Sequence, residues 1–126
     1  TGTEWIGSVE IALLLDACYG VSSRIINMEN IAQQGISPGV AHELVRHLEE
    51  VGSPIMIGGA GGGARTIIGI EFHRPAPPSF HHILISRLLV LDPHYSGDDS
   101  PPAIAHNMPR ICTWAAPAAL LTQYGE

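Results

Sequence analysis

Asp92 and His94 lie two residues apart in the segment "LLVLDPHYSG", directly after its four aliphatic residues. Side chains at positions i and i+2 of an extended chain point to the same side, so the carboxylate can lie beside the ring. A carboxylate that accepts a hydrogen bond from one imidazole nitrogen fixes the tautomer, and the other nitrogen is then free to take a proton from a nucleophile. The tripeptide is therefore compatible with the acid and the general base of a nucleophilic enzyme.

A structural role also explains this tripeptide. Pro93 favours a turn, and an Asp that opens a turn accepts a backbone hydrogen bond with its own side chain. His94 would then be a partly exposed loop residue. Short motifs match by chance, so the tripeptide alone does not decide between the two interpretations.

Three extended segments are expected to position the pair, because each is rich in branched aliphatic residues: 54–58, 66–72 and 83–92. The segment between the last two is proline-rich and too short for a crossover helix. These two strands are therefore predicted to pair antiparallel, with a protruding loop between them.

Two helices precede these strands. Ser8 is expected to cap a buried helix that ends before Gly20. Ser37 with Pro38 begins an amphipathic helix that ends before Gly52, and its packed side is expected to contain Leu44, Val45, Leu48 and Val51. The stretch 21–28 between them favours a strand, since Val21, Ile25 and Ile26 are β-branched. A short helix is also expected in the tail after Ser96.

Length and composition restrict the class of protein. The 126 residues predict one domain, 1–126, and a net charge of −6 makes nucleic acid a poor partner. Cys18 and Cys112 form neither a disulfide framework nor a zinc pattern, which favours a reducing compartment. No apolar run is long enough to cross a bilayer.

The glycine-rich segment "GAGGGART" at 59–66 matches the pattern of a phosphate-binding loop only in part. Arg65 replaces the Lys of that pattern, and a strand-like segment follows where a helix is required. The glycines suit a plain hairpin loop or a mobile flap over a substrate tail.

His42 and His47 are five residues apart, not the four that align two ligands on a helix, so neither a metal nor another cofactor is expected.

Several segments together carry a resemblance to a known family. They are "WIGSVE" at 5–10, "GSPIMIGG" at 52–59, "TIIGIE" at 66–71, "LLVLDPHYSG" at 88–97 and "CTW" at 112–114. In order and spacing they resemble the ubiquitin-fold-modifier-specific cysteine proteases. The resemblance implies a papain-like α+β fold with a largely antiparallel central sheet flanked by helices. It also implies a thiol protease and isopeptidase that cleaves after the C-terminal glycine of the modifier, in precursor processing and deconjugation.

By this resemblance Asp92 is the orienting acid and His94 the general base. Residues expected to contact the substrate are Trp5, Gly58, Gly59 and Tyr95. A large aromatic residue before a capped helix more often fills the core, and the alternative for Tyr95 is a local hydrogen bond or simple packing. The expected partners are the modifier, its conjugates and an adaptor or a missing N-terminal segment. The expected location is the cytoplasm, with recruitment to the surface of the endoplasmic reticulum left open.

The chain departs from the family pattern at the nucleophile. The family's Cys lies upstream of the "WIGS" motif, and neither Cys18, inside the first helix, nor Cys112, after His94, matches it. We therefore expect the chain alone to be inactive, as the Asp and His portion of a cysteine protease catalytic domain. The alternative is a pseudoenzyme that binds the modifier or acts as a scaffold.

Overall fold

The computed structural model describes residues 6–28, 35–59, 62–76 and 82–121. Four strands form one antiparallel sheet in the order β1-β2-β3-β4. The strands are β1 Ile55–Gly59, β2 Gly62–His73, β3 Leu84–Leu91 and β4 Cys112–Ala115, and the helices are α1 Ser8–Tyr19, α2 Pro38–Glu50, α3 Pro101–Ile111 and α4 Pro117–Leu121. This mixture of helices with an antiparallel sheet confirms the predicted α+β class and is consistent with a papain-like peptidase fold.

The central pair of strands is β2 with β3. Thr66 lies opposite Leu91 and Ile67 opposite Val90, which confirms the predicted antiparallel pairing. Because side chains alternate along a strand, Ile67 and Val90 share one face and are 3% and 5% exposed. β2 begins at Gly62, four residues before the predicted start, and this extension runs beside the end of β3.

The core lies on that same face of the sheet. Ile67, Leu88 and Val90 pack with Leu120 of α4, and a second cluster joins Ala41 and Val45 of α2 to Ile83. α2 and α4 therefore hold the sheet from one side, and the burial of aliphatic surface keeps β3 fixed in the middle of the sheet.

Replacement of Leu88 by alanine is expected to lower the free energy of unfolding by about 2–5 kcal/mol, because it leaves a cavity at a side chain that is only 1% exposed. Leu84 is the matched control, since it lies on the same strand and is 48% exposed. Urea unfolding of both variants measures the difference. An equal loss in Leu88→Ala and Leu84→Ala would contradict this view of the core.

The helix α2 follows the sequence prediction at both ends. The Ser37 hydroxyl accepts a hydrogen bond from the Val40 N–H at 3.3 Å, and Gly52 has a φ of 74° just past the helix end. Leu44 and Val45 are buried as expected. Val51 was expected on the packed side but is 67% exposed, because it is the C-cap residue, past the last turn.

The prediction for α1 was right in extent and wrong in burial. Gly7 rather than Ser8 is the N-cap, and its N–H donates to the Glu10 carboxylate at 3.0 Å. No α1 residue is buried among the described residues, and Leu13 is 65% exposed. The helix is apolar around most of its circumference, so its sequence indicates a need for cover without showing what covers it.

The strand predicted at 21–28 is wrong. The structure assigns no helix or strand to these residues, and Arg24 instead pairs with Glu43 of α2 at 2.7 Å. A β-branched sequence forms a strand only where a partner strand is within reach. Conversely, the four residues of β4 were not predicted, because only their pairing with β3 makes them a strand.

Candidate active site

Asp92 lies near the surface, directly after the end of β3. The strand stops at Leu91, and the Asp92 N–H donates to the Ile111 carbonyl at 2.8 Å, where α3 passes into β4. The Asp92 carboxylate then accepts the backbone N–H of His94 at 2.9 Å, which closes a turn around Pro93. The turn interpretation of the tripeptide is therefore correct for the backbone.

The same carboxylate also holds the imidazole. Oδ1 of Asp92 lies 2.8 Å from Nδ1 of His94, so the side-chain arrangement expected of an acid and base pair is present as well. The His94 side chain is 59% exposed, and a group approaching from solvent can reach the ring. The two interpretations coexist, because one carboxylate serves both the turn and the ring.

Hydrogen bonding keeps Asp92 ionised. The backbone N–H of His94, and after it the His94 ring, hold the pKa of the Asp92 carboxyl below its ordinary value, against the smaller opposing effect of burial. At neutral pH the group is thus a carboxylate, which is the form that orients an imidazole.

Two β2 residues complete the cluster. Thr66 pairs with Leu91, so continuing the register past the end of β3 sets Arg65 opposite Asp92 and Gly63 opposite His94. Arg65 Nη1 lies 3.0 Å from His94 Nδ1, and Arg65 Nε lies 3.7 Å from Asp92 Oδ1. The early start of β2 therefore brings a guanidinium to the acid and base pair.

Gly63 lies directly against the ring. A Cβ added at this position would lie 2.5 Å from Cε1 and 2.7 Å from Nε2 of His94. These distances are below van der Waals contact, so a side chain here would displace the imidazole. The absence of a Cβ is what lets the β2 backbone approach this edge of the ring.

An open cleft of about 300 Å³ adjoins the pair. Its lining consists of Asp92, His94, Tyr95, Ser96, Asn107, Arg110 and Ile111. Tyr95 donates its hydroxyl proton to the Asp98 carbonyl at 3.0 Å and accepts from the Asn107 amide at 3.3 Å, so it bonds locally while it lines the cleft. Its predicted contact with substrate stays a prediction.

The other predicted substrate residues lie farther from the pair or outside the description. Gly58 and Gly59 end β1, and Gly59 pairs with Gly62 at the loop end of the β1–β2 hairpin. The strand β2 therefore lies between these two glycines and the end of β3, which His94 follows. Trp5 lies outside the described residues, and so does the centre of the glycine-rich loop at 60–61.

The two described cysteines lie on α1 and β4, and neither lines the cleft beside the pair. Cys18 is exposed on α1, and Cys112 pairs with Leu91. Cross-strand partners share a face, so the Cys112 side chain lies with Leu91, on the face opposite Val90. Within the described ranges there is also no group of three or more metal-binding side chains.

Sequence reasoning missed Arg65, Gly63 and Asn107. Arg65 was weighed only as a failed phosphate-loop residue, and Gly63 only as part of a flexible loop. The signal that identifies both is the strand register, because it sets them opposite Asp92 and His94. Nothing in the sequence alone fixes that register.

Comparisons with known proteins agree with the resemblance. A family model described as Peptidase family C78 matches residues 1–124. The chain is 36% identical over 96 residues to the Probable Ufm1-specific protease of Oryza sativa subsp. japonica, covering 76% of this chain and 13% of that protein. It is 35% identical over 114 residues to Ufm1-specific protease 2 of Rattus norvegicus and 33% identical over 117 residues to that of Homo sapiens, covering in both cases 90% of this chain and 22% of the relative.

The chain therefore spans between 13% and 22% of the length of these curated relatives. No solved structure matches it. None of the helices in the described part of the chain is both long and apolar enough to span a bilayer.

Proposed function

Because this chain belongs to peptidase family C78, we propose that it supplies Asp92 and His94 to a thiol protease that cleaves after the C-terminal glycine of Ufm1, both in precursors and in conjugates. The observation that carries the proposal is the 2.8 Å contact between Asp92 Oδ1 and His94 Nδ1, beside an open cleft. The names of the relatives, Ufm1-specific proteases, support the choice of modifier.

The chemistry assigned to the pair is that of a general base and its orienting acid. Asp92 accepts a hydrogen bond from Nδ1–H of His94, which leaves the Nε2 lone pair free to take the proton of a cysteine thiol. The thiolate attacks the carbonyl of the terminal glycine, and His94 returns the proton to the departing amine. Water then hydrolyses the acyl-enzyme, with His94 again as the base.

The thiol in this proposal comes from another segment of the same protein. Neither Cys18 nor Cys112 lines the cleft beside the pair, and Cys112 lies on the opposite face of the sheet from Val90, which argues against both. The relatives are several times longer than this chain. The exposed apolar surface of α1 is consistent with cover by such a segment.

We propose the cytoplasm as the place of action, since both described cysteines are free and a reducing compartment keeps thiols in that state. The proposed partners are Ufm1 and its conjugates, with an adaptor as the means of recruitment to the endoplasmic reticulum.

A fluorogenic amide at the C-terminus of Ufm1 tests the function with the complete protein that carries this chain. We expect hydrolysis that iodoacetamide abolishes, and no hydrolysis of the matching ubiquitin amide. Binding of Ufm1 without any turnover would instead support the pseudoenzyme alternative. If Ufm1 is neither bound nor cleaved, both proposals are rejected.

A further inference from the structure

Nδ1 of His94 has two hydrogen-bonding neighbours. Asp92 Oδ1 lies at 2.8 Å and Arg65 Nη1 at 3.0 Å. A neutral imidazole nitrogen either carries a proton and donates, or has a lone pair and accepts. The carboxylate can only accept and the guanidinium can only donate, so these two hydrogen bonds exclude each other at any instant.

The choice between them decides where the ring proton lies. The bond to Asp92 requires a proton on Nδ1 and leaves Nε2 with a lone pair. The bond from Arg65 requires a lone pair on Nδ1 and places the proton on Nε2. In the second state Nε2 cannot take a proton from a thiol, so Arg65 favours the unproductive tautomer.

Arg65 is held where it can compete. Its Nη1 also donates to the Ala64 carbonyl at 3.2 Å, and its Nε faces Asp92 at 3.7 Å. The Arg65 side chain is 20% exposed, against 39% for Asp92 and 59% for His94. The least exposed member of the cluster is thus the competitor, and the strand register keeps it beside the ring.

We propose that Arg65 is a positioning residue that competes with Asp92 for Nδ1 of His94, and so sets the fraction of His94 whose Nε2 accepts a proton. The interconversion moves one proton between the two ring nitrogens through the solvent that reaches the exposed ring, and it needs no other reactant. Its catalytic meaning rests on the proposed function, but the tautomer is measurable without turnover.

Long-range proton–nitrogen NMR of the complete protein, labelled with ¹⁵N-histidine, measures the tautomers at a pH where the ring is neutral. Arg65→Met removes the donor, and we expect it to raise the ratio of the Nδ1–H to the Nε2–H tautomer by about threefold or more. Arg65→Lys is expected to shift the ratio in the same direction. The single ammonium nitrogen of Lys pairs with the Asp92 carboxylate, and Lys lacks the planar fork by which a guanidinium reaches both Asp92 and His94. Asp92→Asn is expected to shift it the opposite way.

Arg87→Met is the matched control, since Arg87 lies on β3 and pairs with Glu71 on the other face of the sheet. An unchanged ratio in both Arg65 variants, or a shift toward Nε2–H, would overturn the inference while leaving the proposed function intact. In an active enzyme kcat should rise with the Nδ1–H fraction. A constant kcat would show that the competition between Arg65 and Asp92 has no effect on catalysis. A shifted ratio in a protein without turnover would support the competition and reject the proposed function alone.

Discussion

Alanine in place of His94 is expected to lower kcat for a Ufm1 C-terminal amide by roughly 10²–10⁴-fold, the usual contribution of a positioned general base. The ring is held by Asp92 at 2.8 Å and is 59% exposed, so its removal takes away the proton acceptor without opening a cavity in the core. Steady-state kinetics and thermal unfolding of the complete protein, measured together, separate a catalytic loss from a folding loss. We expect a small change in Tm.

His106→Ala is the matched control for this variant. His106 is an exposed histidine on α3 that does not line the cleft, so the same chemical change there should leave kcat within about twofold, as for most surface substitutions. Asp92→Asn should lie between the two, because an amide no longer fixes the tautomer of the ring. Full turnover in His94→Ala would refute the assigned role of the base.

Alanine in place of Gly63 is expected to lower kcat/KM by about 10²-fold, because a displacement of about 1 Å at a reacting group has an effect of that size. The new Cβ would overlap Cε1 and Nε2 of His94, at 2.5 and 2.7 Å. The exposed ring can rotate away from it, but the rotation gives up the hydrogen bond to Asp92. Stability should therefore change little, since the affected side chain is flexible and faces solvent.

Gly69→Ala on the same strand should show the opposite pattern. Its Cβ would meet Leu89 Cβ at 3.2 Å, away from the acid and base pair, so a change in unfolding free energy with normal kcat/KM is expected. Kinetics and urea unfolding of the two variants provide the comparison. A normal kcat/KM in Gly63→Ala would show that the imidazole does not need the observed position.

The two predictions depend on the same piece of sheet. Gly63 and Arg65 on β2 lie opposite His94 and Asp92 just beyond the end of β3, so the site continues the β2–β3 ladder after its hydrogen bonds stop. The backbone contact from Asp92 to Ile111 fixes the other side of this extension. The site is thus held by its two neighbouring strands rather than by a separate loop.

The acid and base pair was predictable from sequence because its geometry is local. Asp92 and His94 are two residues apart, and a turn at Pro93 lets one carboxylate bond both the backbone and the ring. The amphipathic α2 was predictable for a similar reason, since Ser37 and Gly52 act on the backbone beside them. The role of the pair in catalysis stays a prediction.

The sequence by itself determined the short-range features of this protein: the ends of α2, the three aliphatic strands and the position of a carboxylate beside an imidazole. The tertiary structure alone decided that Arg65 and Gly63 meet that imidazole, that 112–115 is a strand and that α1 is exposed. The physical reason is distance along the chain. Local hydrogen bonds and steric limits act over a few residues, whereas strand register and burial depend on segments that the sequence separates by about thirty residues, as Arg65 and His94 are.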